Sequence, residues 1–201
     1  MRLGPLFLLP LLTLACAGPL TGATSFAPAY AWSNGPVPPA VPACSGPVVL
    51  SVADARSNPT EAGRRFEENK PNTDYPIEMT GSAAAWVLNG VEANLKRAGS
   101  PGTGTTAAAL KITLVQLRLE ERTYHNAEFS GDVQLDVVVG STNPQIPCWR
   151  GQVSGSGANY GKAGNAENYQ ETLNRALEKA TATLLAQKPF QDALCGKCSS
   201  L

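Results

Sequence analysis

Apolar and polar positions alternate in recognisable blocks between residues 48 and 187. Residues 48–52 (VVLSV) form a short apolar run entered through Gly46 and Pro47, the pattern of a strand. Over 83–97, Ala84, Val87, Leu88, Val91 and Leu95 recur on one helical face. Thr80 or Ser82 is placed to cap that helix, and Gly99 lies just past its end. Beyond a Gly/Ser/Thr loop at 100–106, Leu110, Ile112 and Leu114 alternate. Val115, Leu117 and Leu119 resume the alternation after a bulge. Val133, Leu135, Val137 and Val139 mark a second strand, and the glycine-rich stretch 149–160 a third. A helix follows over 167–187, striped by Leu173, Leu177, Ala180, Leu184 and Leu185 and stopped by Pro189. Residues 75–79 read as a short edge strand, and 57–73 as a polar connection.

This order, β-α-β-β-β-α, predicts an α+β fold. It is a two-layer sandwich whose mostly antiparallel sheet, with one short edge strand, is covered by two helices. The first helix supplies the crossover through which the first strand pairs parallel to a later one. The expected contact surface is an exposed sheet edge able to accept a strand from a partner.

Residues 1–15 (MRLGPLFLLPLLTLA) break the globular pattern. Arg2 precedes an apolar run too short for a bilayer span, and Pro5 and Pro10 interrupt it. Small residues follow, completing an export signal. Thr13-Leu14-Ala15-Cys16 matches a bacterial lipobox apart from Thr13, making Cys16 the residue that receives lipid. Cleavage after Ala17 as an ordinary small-x-small site is the alternative. Ala17 after Cys16 implies sorting to the outer membrane by analogy with Gram-negative lipoproteins. Residues 16–47 carry seven prolines among small residues and read as a semi-rigid tether. Residues 48–201 are then a single domain.

Sixteen basic and 16 acidic residues cancel, removing the electrostatic case for nucleic acid. One histidine, His125, gives no hydrolytic triad and no zinc site, so neither cofactor nor metal is expected. The Gly155-Ser156-Gly157 and Gly161-Lys162-Ala163 pieces lack the spacing and hydroxyl of a phosphate loop. Asp54 and Arg56 read as organisers of the connection after the first strand.

The pieces 48–56 (VVLSVADAR), 95–99 (LKRAG), 110–114 (LKITL), 169–177 (YQETLNRAL) and 190–194 (FQDAL) resemble the YajG-type lipoprotein family. The resemblance implies an exported lipoprotein of undefined role, with no active site to carry over. The layout is also similar to small envelope lipoproteins that assist transport or assembly machines.

Cys44, Cys148, Cys195 and Cys198 form an even set, read in an exported domain as disulfides. With first and last strands parallel and the final helix running back, Cys44 and Cys148 share an end with Cys195 and Cys198. The C-terminus is therefore expected to be stapled to Cys44 and Cys148 in either pairing, with a local Cys195–Cys198 bridge as the alternative. A thiol-active Cys195-Gly-Lys-Cys198 suits an enzyme poorly, because it follows a helix instead of opening one. The reading is a non-enzymatic, lipid-anchored envelope protein that binds or scaffolds a partner. A soluble secreted or periplasmic thiol–disulfide enzyme is the alternative.

Overall fold

The computed structural model describes residues 22–70, 73–123, 126–141 and 147–198. Among these residues, seven strands and three helices follow in the order β1 (Thr24–Phe26), β2 (Val48–Asp54), β3 (Glu61–Glu67), β4 (Asp74–Met79), α1 (Ala83–Arg97), β5 (Ala108–Thr123), β6 (Ala127–Ser141), β7 (Pro147–Gly161), α2 (Ala166–Ala186) and α3 (Lys188–Leu194). The strand order is β1-β4-β3-β5-β6-β7, with β2 paired to β5 off this path.

The sheet is mixed, not mostly antiparallel. Among the described residues β1–β4, β2–β5 and β3–β5 are parallel, whereas β3–β4, β5–β6 and β6–β7 are antiparallel. The 16-residue β5 is the cause. Its first half takes β2 alongside residues 108–114, and its second half takes β3 alongside 119–123, on one side. Helix α1 carries the chain back to the start of β5, so both earlier strands meet it in parallel. The anticipated bulge lies between Leu114 and Gln116. Strand β4, whose residues 75–79 read as an edge strand, is not outermost in the sheet order, since β1 pairs with its residues 77–79 and β3 with its other side.

Strand β3 falls in the stretch read as polar connection, because its pattern is inverted. Arg65 is buried and Phe66 is exposed. The Arg65 guanidinium donates to Thr24 Oγ1 at 2.8 Å and stacks 4.8 Å over the Tyr75 ring. Here a paired and stacked cation occupies a place the periodicity reserves for an aliphatic side chain.

Alternation along β5 and β6 separates two faces. Leu110, Ile112, Leu114, Leu119, Phe129, Val133, Leu135, Val137 and Val139 are all buried. Lys111, Arg118, Glu128, Ser130 and Asp132 are exposed on the other face. Helix α1 runs over the expected span, capped by Ser82 Oγ, which accepts from Ala85 N at 3.1 Å, with Gly99 at φ +84° beyond it. Trp86 of α1 donates to Asn174 Oδ1 of α2 at 2.8 Å, joining the two helices. Pro189 does end α2, but it also sits in the first turn of α3.

The glycines of β7 have a packing role. A Cβ at Gly155 would lie 2.1 Å from Ala176 O and 2.4 Å from Ala180 N, and one at Gly157 would lie 2.2 Å from Thr172 O. Helix α2 thus sits directly on the strand backbone, where no side chain can yield. Gly155→Ala is expected to lower stability by about 3 kcal/mol. Ser156→Ala, on the exposed face, should change it by less than about 0.5 kcal/mol. Urea unfolding of the two variants checks this, and equal midpoints would refute the close-packing account.

The proline-rich stretch expected to act as a tether is packed on the domain over residues 22–47. Phe26 is buried against Tyr169, with ring centroids 5.6 Å apart. Val41 N donates to Ala98 O at the end of α1, and Ser45 is buried, its Oγ accepting from Gly102 N. Prolines set the extended backbone, and the residues between them supply the contacts that a free spacer lacks.

Candidate functional site

Cys16 and the signal residues 1–15 lie outside the described residues, as does His125. The four remaining cysteines meet at one end of the sheet as Cys44–Cys195 and Cys148–Cys198, with Cα separations of 5.2 and 4.3 Å. Neither Cys195 nor Cys198 bonds to the other, so the CxxC segment is spent on two long-range cross-links. The C-terminus is thereby fastened beside Trp149, whose ring meets Phe190 of α3 edge-on at 5.3 Å.

Two buried carboxylates organise the interior, and sequence periodicity showed neither. Glu178 of α2 is fully buried. It accepts from Ser33 N at 2.9 Å, Ser33 Oγ at 2.8 Å, Gly35 N at 2.9 Å and Tyr30 OH at 3.3 Å. Burial, and then the Glu178 charge, push the Tyr30 phenol up to about 12. Asn94 donates to the same phenol oxygen at 3.0 Å. Glu121 of β5 is equally buried and accepts from Tyr169 OH, from Thr123 Oγ1 at 3.0 Å and from Gly164 N at 3.1 Å. Burial and the Glu121 carboxylate hold the Tyr169 phenol well above its usual range. Both acids spend their lone pairs on internal donors, which makes them structural anchors.

Asp54 and Arg56 perform the organising role expected of them. Arg56 pairs with Asp54 at 2.7 Å and donates to Glu61 O at 2.8 Å and Pro59 O at 2.7 Å, closing the β2–β3 connection. Desolvation raises the Asp54 pKa, but the Arg56 bonds and charge outweigh it and leave the carboxyl below its ordinary value.

The surface offers a shallow cleft of about 400 Å³ where β2 gives way to β3 along β5, lined in part by Arg56, Asn58, Phe66, Val115 and Arg118. A second, of about 470 Å³, shares Phe66, Arg118 and Glu120 with it. The charges there are internally compensated. Arg118 and Arg122 pair with Glu120, and Arg64 with Glu61 and Asp74. Among the described residues no group of three or more His, Cys, Asp or Glu is placed to hold a metal.

Among the described residues the margins of the sheet include β1, β7 and the outer side of β2. The lower half of β7 is closed by side chains, for Arg175 donates to Ala158 O at 2.6 Å and Asn159 Oδ1 accepts from Tyr160 N at 2.8 Å. Strand β1 offers only three residues.

The fold and these margins define a mixed α/β domain cross-linked by two disulfides. No family model matches the sequence, and no curated protein does. Among solved structures, the chain is similar to protein XCC0632 from Xanthomonas campestris, of the uncharacterized family DUF330. The likeness is 16% identity over 81% of this chain and 92% of that one, with a TM-score of 0.47. A second structure, an uncharacterized protein, is 12% identical over 80% of this chain and 95% of that one, with a TM-score of 0.30.

Proposed function

We propose that this chain is an exported, lipid-anchored protein of the outer membrane that binds or scaffolds an envelope partner through a sheet edge, without catalysis. The observation that carries the reading is the pair of disulfides. All four cysteines beyond Cys16 are joined at long range, a state that persists in an oxidising compartment. The export signal of residues 1–15 and the lipobox cysteine supply the route and the anchor. YajG-type kinship belongs to this proposal and rests on the sequence pieces quoted above. The packing of residues 22–47 shortens the reach of any tether, so the domain sits close to the membrane surface.

The test is palmitate incorporation with membrane fractionation, comparing the native chain with Cys16→Ala. Label confined to the native chain, with release of the variant from the outer-membrane fraction, is the expected result. An unlabelled, soluble native chain beginning at Gly18 would overturn the anchoring. Free, low-pKa thiols at Cys195 and Cys198 in protein from cells, with turnover in an insulin-reduction assay, would favour the thiol–disulfide alternative.

A further inference from the structure

Among the described residues, strand β2 is an open margin of the sheet and pairs with β5 on one side only. Ala108 N donates to Pro47 O at 2.9 Å and Ala55 N to Leu114 O at 3.0 Å, so the odd-numbered residues turn their peptide groups toward β5. By the alternation of a strand, the N–H and C=O of Val48, Leu50 and Val52 point outward. Among the described residues no hydrogen bond reaches them. The devices that usually guard an edge are missing here. No charge, proline or bulge interrupts residues 48–53, whereas the lower half of β7 is closed by Arg175 and Asn159. Val49 is 63% exposed, and Val48, Leu50 and Val52 are only partly buried.

We propose that this edge joins a second copy of the same chain, two β2 strands pairing antiparallel about a two-fold axis at Leu50. The strand is complementary to itself in that register. Val48 lies opposite Val52 of the second copy and Leu50 opposite its counterpart, and these are the residues whose peptide groups are unpaired. On the open face, Val49 lies opposite Ser51. The one charge of β2, Asp54, falls opposite Gly46, so no like charges meet. The pairing satisfies the outward peptide groups, covers Val49 and makes one continuous sheet across two molecules. This inference rests on the reading of a sheet edge as the contact surface.

Sedimentation of the full-length chain in detergent tests it. The native chain is expected to be a dimer. Val49→Lys with Ser51→Lys sets lysine opposite lysine twice on the exposed face and should raise the dissociation constant at least about a hundredfold. Val49→Glu with Ser51→Glu should do the same, and an equal mixture of the two variants should recover a heterodimer. Val52→Pro removes one outward N–H without touching the β5 ladder and is a second route to the monomer. A monomeric native chain, or dimers that survive both charge pairs, would overturn the proposal. A photo-crosslinking amino acid at Val49 in cells separates the layers. A product of twice the chain's mass supports the second copy. Products with a different protein alone overturn the second copy and leave edge binding standing, and the absence of any product overturns both.

Discussion

Replacing Cys44 and Cys195 together by alanine is expected to lower the unfolding free energy by about 5 kcal/mol. Replacing Cys148 and Cys198 together should lower it by about 4 kcal/mol. The order follows from chain entropy, since a cross-link restricts the unfolded chain more when it closes a longer loop. Cys44–Cys195 spans 151 residues and Cys148–Cys198 spans 50. The longer one also ties residues 22–47 to the tail, while the shorter holds α3 against the start of β7. Removing cysteines in pairs avoids a stray thiol. Guanidinium unfolding under non-reducing conditions reads both losses, and a smaller loss for the 151-residue loop would refute the entropic account. In the reduced chain both losses combine, on a scale comparable to the whole stability of an ordinary domain. Such a protein is expected to depend on oxidising surroundings, in keeping with the export proposed for it.

The elements with clean periodicity were legible in the sequence, and those built on exceptions were not. Helix α1, the bulged β5 and the alternating β6 each present one apolar face, and α2 carries a stripe of leucine and alanine, which the pattern reports directly. Strand β3 escaped because Arg65 fills a core position and Phe66 faces out. Residues 22–47 escaped because their packing depends on Tyr30, Ser33 and Gly35 meeting one acid more than 140 residues away, a relation that local composition cannot carry. Glu121 and Glu178 look like ordinary solvent-facing carboxylates, and only the fold shows them buried. The signal available was positional. Glu178 interrupts the run from Ala176 to Thr181 on a helix buried round most of its circumference, a place where a charge needs partners. The shared end of the four cysteines was legible because it follows from strand direction alone, while the choice of pairing was not, because it depends on the path of the last few residues.

Glu178→Ala should release residues 30–35 from the helix layer and cost about 3–5 kcal/mol. The loss exceeds that of one hydrogen bond because the carboxylate satisfies two backbone amides and two hydroxyls in a site closed to water. Removing it leaves those donors unpaired inside the protein. Glu178→Gln keeps one carbonyl oxygen, accepts fewer of these bonds, and should cost about half as much. Hydrogen exchange at Ser33 and Gly35 should speed up in both variants, more in the alanine one, with β6 amides little changed. Tyr30 gives a second, independent reading. Its pKa is raised from 10.0 to about 12 in the folded chain, so the neutral phenol is the favoured form. That contribution to stability is fully present below pH 10 and is lost as pH rises from 10 to about 12. Burial is the larger cause and the Glu178 charge the next. In Glu178→Gln the Tyr30 pKa should therefore fall from about 12 yet stay above 10, read by phenolate absorbance. An unchanged Tyr30 titration with unchanged Ser33 and Gly35 exchange would show that the N-terminal segment holds to the domain without this acid.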